Sequence, residues 1–263
     1  MPYTGAAASF NTAAEQYDSA RPSYPSALIK KIIATARLKK SSQILEIGAG
    51  TGKASVLFAQ YGYKMLCLEP GEQMGEIAKR NLKPFKNVRV VTKTFEDWRV
   101  QKNTFDLVIS AQAFHWIDPT IGFPKVAKAL KPGGWVAVFW NLPNDPSNGI
   151  YAEIQEQYRK YVPSMERRFK EKPLSEEVRE LREELAVHKN LFRKRAVYRF
   201  SWKKRYTPDE YVELLGTYSD HIALPTRRQN LLYKGIRNVI DSNGGTHLKH
   251  YTCVVAMGQK SST

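Results

Sequence analysis

Cysteine is nearly missing from this 263-residue chain: Cys67 and Cys253 are its only two. Neither belongs to a C-x-x-C pair, which removes zinc and iron–sulfur centres, and no other metal site is expected. Each sits in an apolar, strand-like run, where a thiol acts as a small buried hydrophobe rather than a nucleophile. Long apolar runs are missing too. No stretch approaches the ~20 residues of a membrane span, and the N-terminus lacks the basic-then-apolar order of a secretory signal. The cytoplasm is therefore the expected compartment. H-E-x-x-H, Walker A and G-x-S-x-G patterns are absent, so the chemistries that depend on them have no anchor here. Acidic residues are scarce, 25 against 41 basic ones, for a net charge of +16. A basic excess of this kind can mark a polyanion-binding protein. Here it is spread evenly: residues 1–150 hold 19 basic and 11 acidic side chains, residues 151–263 hold 22 and 14, and each part is +8. One run carries no acid: Lys189, Arg193, Lys194, Arg195, Arg199, Lys203, Lys204 and Arg205. On a strand edge it reads most simply as a solvated, aggregation-resistant face, with attraction of an acidic metabolite as its other use. No RNA-binding module or aromatic-basic recognition motif is appended.

What the chain does have is concentrated in Ile44 to Ser55, where an apolar strand runs into glycines at three alternate positions and then into a helix-like stretch. Glycine lets the backbone turn sharply and lets a ligand approach where a Cβ would obstruct it. The free N–H groups of the following helix then face that ligand. A dinucleotide site would read G-x-G-x-x-G; this one reads E-x-G-x-G-x-G, with Glu46 just upstream of Gly48, Gly50 and Gly52. A second strand, Lys64 to Glu69, ends in a carboxylate nineteen positions after Gly50, which makes Glu69 the candidate acceptor for ribose hydroxyls.

The rhythm continues. A helix is expected over Gly71–Asn81, a strand at Val88–Val91, and another at Phe105–Ser110 leading into Ala111, Gln112 and His115. A helix over Ile121–Leu130 follows, then a turn at Pro132-Gly133-Gly134 and a fifth strand at Trp135–Trp140. Alternation of this kind implies right-handed βαβ units and a parallel sheet covered on both faces. The near-continuous apolar strands agree. After a linker at Asn141–Asn148, residues 149–190 are charged and helical, with Ile150, Ile154 and Tyr158 and then Leu174, Val178, Leu181 and Leu185 at helical spacing. They form either a lid over the substrate end of the pocket or a cover on a sheet face. A sixth strand (Leu191–Lys204), two helices (Thr207–Tyr218, opened by Thr-Pro-Asp-Glu, and Arg227–Asp241) and a last strand (Tyr251–Met257) close the chain. The fold class is α/β: a Rossmann-like, seven-stranded, mostly parallel sheet with helices on both faces, an antiparallel last strand, and a helical insertion after strand five.

These ordered motifs over residues 10–140 resemble class I S-adenosylmethionine-dependent methyltransferases of the small-molecule type, the methyltransferase type 11 group that includes trans-aconitate methyltransferases. The resemblance extends to the N-terminal segment Phe10–Pro25. It implies four regions: cofactor-covering helices in 1–40, a cofactor-binding core in 41–140, the insertion or lid in 141–190, and strands and helices completing the sheet in 191–263. It also implies S-adenosyl-L-methionine as cofactor. Arg21 would bind the methionine carboxylate, with an exposed helix-initiating turn as its structural alternative, and Tyr17 would shut the pocket. Gly48 and Gly50 would line the methionine moiety, Glu46 would orient its ammonium, and Gly52 would belong to the same cofactor-binding turn. Thr94 and Phe95 match the adenine-contacting position, although many relatives carry aspartate where Thr94 stands. Ala111 and Gln112 would flank the sulfonium end.

Methyl transfer from a sulfonium mainly needs the acceptor held close and aligned, with water excluded. A base is required only for an acceptor protonated at neutral pH. His115, after the fourth strand, is the candidate base, or else an orienting or packing residue beside Phe114 and Trp116. A carboxylate acceptor would need no base and would suit arginine. No Asn-Pro-Pro-aromatic motif follows the fourth strand, as base-amine methylation would require. The leading expectation is transfer to a small-molecule acceptor at a carboxylate or hydroxyl oxygen. An RNA or protein methyltransferase using the basic surface, a non-catalytic cofactor-binding protein and, last, a nicotinamide oxidoreductase are the alternatives.

Overall fold

The computed structural model describes residues 13–168 and 174–261; Phe10, Asn11 and Thr12 of the N-terminal segment lie outside the described residues. Seven strands form one sheet: β1 (Gln43–Ile47), β2 (Lys64–Glu69), β3 (Val88–Thr92), β4 (Phe105–Ala111), β5 (Leu130–Pro143), β6 (Phe192–Tyr206) and β7 (His247–Lys260). Their spatial order is β3-β2-β1-β4-β5-β7-β6. β1 to β5 pair in parallel, while β7 runs antiparallel to both β5 and β6. The apolar runs of β1, β2 and β4 are buried because helices cover both faces.

Ten helices are described: α1 (Ala14–Ala20), α2 (Ser26–Ala36), α3 (Lys53–Ala59), α4 (Glu72–Leu82), α5 (Pro119–Ala129), α6 (Ile150–Tyr161), α7 (Leu174–Val187), α8 (Pro208–Leu215), α9 (Ser219–Ile222) and α10 (Thr226–Ser242). One core layer gathers α2 and α3 residues such as Leu28, Ile32 and Phe58 over Ile44, Leu107 and Phe139. The opposite layer packs Phe123 and Val126 of α5 on Leu45, Val108 and Val138. These two layers follow from strand alternation, since neighbouring residues such as Ile44 and Leu45 face opposite ways. Thr207 opens α8 with the reciprocal capping box that its Thr-Pro-Asp-Glu sequence announces.

The expected turn at Pro132–Gly134 proves to be an outpocketing within a longer strand. β5 leaves Phe105 opposite Leu130 and resumes with Leu107 opposite Trp135, and Gly133 takes φ +76° in between. Asn141 belongs to β5, paired with Cys253, rather than to the linker. Residues 149–190 divide in two. α6 packs against α10, burying Ile154 and Tyr158 among Tyr206, Tyr211, Leu232 and Ile236. α7 lies against β6 and β7, as a cover on the sheet does. No helix is long and apolar enough to cross a membrane among the described residues.

Candidate active site

At the C-terminal ends of β1 and β4 the sheet opens into a cavity lined by the turn after β1, the N-terminal segment and the ends of β4 and β5. The turn after β1 builds one wall. Gly48 and Gly50 adopt φ +67° and +58°, a left-handed backbone that side chains with a Cβ resist. At Gly48 space forbids a side chain as well, because a Cβ would lie 2.4 Å from that of Ala113. At Gly50 a Cβ would meet only Met74 Cε, at 3.5 Å. Gly52, expected at the cofactor, is instead a packing glycine. It caps α3 at φ +86°, and its missing Cβ faces Leu82 and Ala78 of α4 rather than the cavity.

Glu46 and Glu69 divide the acidic work. Glu69 Oε2 accepts from Gly50 N–H (2.7 Å) and Oε1 from Gly71 N–H (2.9 Å), so this carboxylate fastens the turn to the end of β2. Burial raises its pKa against the opposing effect of those two N–H donors. It stands behind the cavity wall rather than on it. Glu69→Ala leaves both N–H groups without their acceptor and is expected to cost about 1–3 kcal/mol of stability along with cofactor affinity. Chemical unfolding and calorimetry check this; wild-type values for both would remove Glu69 from the turn's support.

Glu46 is on the wall and fully buried. Loss of water pushes its pKa up to about 8, although the Ser55 hydroxyl donates to Oε2. Its other oxygen, Oε1, has no hydrogen-bond partner, and neither does the buried Thr51 Oγ1 close along the chain. Native interiors rarely leave such atoms unpaired. Two of them on one cavity wall are the mark of a site shaped for a polar ligand.

The opposite wall comes from the N-terminal segment. Arg80 Nη1 and Nη2 donate to the Glu15 carboxylate at 2.7 and 2.9 Å, Asn81 donates to Asp18, and Gln16 donates to the Glu213 carbonyl. α1 is thereby strapped from α4 to α8. Tyr17 and Arg21 line the cavity. Arg21 is already engaged: Nε donates to Thr217 Oγ1 (2.7 Å) and Nη2 to the Thr217 carbonyl (2.8 Å). Its guanidinium lies 4.1 Å from the Tyr218 ring centroid. Nη1 is the nitrogen left for a ligand. Ala111 and Gln112 also line the cavity. Gln112 holds φ +58° while its N–H donates to the Phe139 carbonyl, a strained backbone of the sort concentrated at functional sites.

Besides Gly52 and Glu69, three more expected residues are not brought to the wall. Thr94 Oγ1 donates to Asp97 Oδ2 (2.7 Å) and accepts from Asp97 N–H (3.0 Å), completing its own turn. Phe95 stacks on Trp98 in the core. His115 lies in the single 3₁₀ turn Phe114–Trp116, where Nδ1 accepts from Trp140 Nε1–H at 3.1 Å. That bond fixes the proton of the neutral ring on Nε2, making His115 a donor without a spare lone pair. Partial burial lowers its pKa and keeps it neutral. His115→Ala is accordingly expected to hold turnover within about threefold, under about 1 kcal/mol of barrier; a loss of several hundredfold in kcat would restore it as a base.

Other wall residues escaped the sequence. Thr51 and Lys53 lie inside the quoted motif, and Asn141 and Pro143 end β5 at the same sheet edge, so both pairs were within reach of it. Tyr218 and Tyr251 arrive from distant segments and carried no signal. Among the described residues neither α6 nor α7 contributes to the wall. No cluster of metal-ligand type exists among the described residues.

The family of methyltransferase domains matches residues 45–138. An uncharacterized methyltransferase of Mycobacterium tuberculosis H37Rv is 32% identical over 148 residues, covering 56% of this chain and 58% of that protein. A candidate S-adenosylmethionine-dependent methyltransferase of Saccharomyces cerevisiae is 28% identical over 155 residues, covering 57% and 52%. The matched segments thus span little more than half the length of these relatives. Among solved structures, a candidate type II methyltransferase from Anaeromyxobacter dehalogenans superposes with TM-score 0.61 at 21% identity, covering 92% of this chain and 98% of that one. Phosphoethanolamine N-methyltransferase 2 of Haemonchus contortus, solved with S-adenosyl-L-methionine, gives 0.54 at 17%, covering 99% and 58%. At such identities the likeness is one of fold. The match begins in β1, ends in β5 and takes in the turn between β1 and α3, so residues 45–138 carry a methyltransferase domain similar to those of the class I S-adenosylmethionine-dependent enzymes.

Proposed function

We propose that the chain methylates a small-molecule acceptor, at an oxygen of a carboxylate or hydroxyl, with S-adenosyl-L-methionine as donor. The observation that carries this reading is the unpaired, buried Oε1 of Glu46 on a cavity wall whose turn has no room for a Cβ at Gly48. The residues present suit the cofactor. Glu46 and Thr51 offer oxygens to the amino-acid moiety, Arg21 offers Nη1 to its carboxylate, and Glu69 supports the turn from behind through the Gly50 and Gly71 N–H groups. When bound, the cofactor supplies a methyl group already activated by its sulfonium.

What remains for the protein is placement and exclusion of water. Tyr17 and Tyr218 flank Arg21 with their rings, and the strap formed by α1 holds that side shut. Asn141, Pro143 and Tyr251 form the far end, beside Gln112. Asn141 is fixed there, donating to the Ser23 carbonyl (3.1 Å) and accepting from Trp202 Nε1–H (3.1 Å). No histidine stands on this wall among the described residues. An acceptor that is already anionic needs no base, and this favours a carboxylate over a hydroxyl.

The test is to incubate the protein with methyl-tritiated S-adenosylmethionine and a cell extract separated into small-molecule, RNA and protein fractions. Label in the small-molecule fraction, lost on mild alkaline treatment as an ester would be, is expected. Label confined to RNA or protein, or no label from a protein that binds the cofactor, would overturn the assignment.

A further inference from the structure

We propose that the outer strand β6 carries a docking stripe for single-stranded nucleic acid, a binding function separate from the small-molecule cavity. β6 is the last strand of the sheet and pairs only with β7. Side chains alternate along a strand, so Arg199, Ser201, Lys203 and Arg205 share one face, and all four are exposed. The other face sends Tyr198, Phe200 and Trp202 into the core. Residues two apart along the stripe are separated by roughly 6–7 Å, comparable with neighbouring phosphates on an extended strand.

These cations are not consumed by carboxylates. Among the described residues none of Arg199, Lys203 and Arg205 enters an ion pair, and Arg205 Nη1 donates only to Thr246 Oγ1 (3.1 Å). Helix α7, which rests against β6 and β7, directs Glu176 to its own Arg179.

An exposed aromatic side chain lies beyond the stripe, across β7 and β5. Arg199 lies opposite Val254 and Val254 opposite Trp140, so the three form one cross-strand row on one sheet face. Trp140 holds His115, whose ring packs 4.8 Å from that of Trp116. Trp116 is 42% exposed, one of few large apolar side chains so displayed. The line of cations provides phosphate contacts, and the exposed indole, reached from Arg199 across Val254, Trp140 and His115, provides a stacking platform; these are the two ingredients of single-strand binding. A membrane surface fits less well, because the apolar residues of β6 point inward and leave little to insert between lipids. An acidic peptide would use the charges but not the ring.

The experiment is fluorescence anisotropy of a labelled 20-nucleotide polyuridine RNA titrated with the full chain. Binding at 50 mM salt should weaken roughly 20- to 50-fold by 200 mM if three or four phosphates are neutralised. The triple variant R199E/K203E/R205E should lose about 30-fold or more at 50 mM salt, and W116A about 5-fold or more. K83E/K86E/R89E makes the same change in net charge at exposed positions on and beside β3, the opposite edge, and should stay within about threefold of wild type. Far-ultraviolet circular dichroism of each variant confirms folding. Absence of binding at 50 mM salt, equal losses in the two triple variants, or tighter binding to phosphatidylserine vesicles or polyglutamate than to the RNA would overturn the proposal.

Discussion

Gly48→Val is expected to lose measurable affinity for S-adenosylhomocysteine, a weakening of ~100-fold or more. Two costs combine. A side chain with a Cβ must enter the left-handed region at φ +67°, at about 1–2 kcal/mol. The new Cβ then falls 2.4 Å from Ala113 Cβ, a neighbour with no torsion by which to retreat. Overpacking of this kind typically costs about 1–3 kcal/mol and moves backbone, and the backbone that moves here is the cavity wall. Gly50→Ala is the internal comparison, because its Cβ would have ordinary clearance from Met74 and bears the dihedral cost alone. Calorimetric titration of both variants separates the cases. Unchanged affinity in Gly48→Val would show that the turn is not the ligand's wall.

Glu46→Gln is expected to abolish a pH dependence that the wild-type protein should display. The Glu46 pKa rises from 4.5 to about 8 through burial. The folded chain therefore holds this proton to higher pH than the unfolded chain. Stability contributed by the neutral carboxyl is fully present below about pH 4.5 and is lost as pH climbs towards about 8. Binding responds in the opposite sense. An ammonium placed near Oε1 favours the ionised carboxylate, so it should drive off the proton, and affinity should increase from about pH 6 to about pH 7.5, by up to about tenfold per unit. Glu46→Gln, with nothing to titrate, should bind weakly and nearly flatly over that span. Isothermal calorimetry in two buffers of different ionisation enthalpy would register proton release in the wild type and none in the variant. Equal proton release in both proteins would remove Glu46 as the partner of the cation.

The parallel half of the fold was legible because local pattern suffices there: each strand is a short apolar run, and the helices between have to pack back onto the sheet. The antiparallel β7 was also legible, as a family expectation. Boundaries failed where a long-range pairing extends a strand beyond its apolar stretch. β5 reaches Pro143 because Asn141 and Leu142 find Cys253 and Thr252 on β7. Within the site, Gly48, Gly50 and Glu46 were readable since one short segment carries them. Gly52 looks the same in sequence as the neighbouring glycines but differs in space: the first pair lines the cavity, while the third faces Leu82. Thr94 and Phe95 were read from a position in a pattern, and no pattern reports that Asp97 and Trp98 occupy their side chains. Tyr218 closes the cavity although nothing around it in the sequence is distinctive. It reaches the wall through Thr217, whose hydroxyl and carbonyl hold Arg21 from 196 positions away.

The most direct measurement is calorimetric titration of the unaltered protein with S-adenosylhomocysteine, repeated with S-adenosylmethionine. Saturable binding of one equivalent of each per chain is predicted, with affinity that strengthens between about pH 6 and pH 7.5 as Glu46 ionises. A protein that unfolds cooperatively yet gives no heat and no thermal shift with either nucleoside would contradict the central claim.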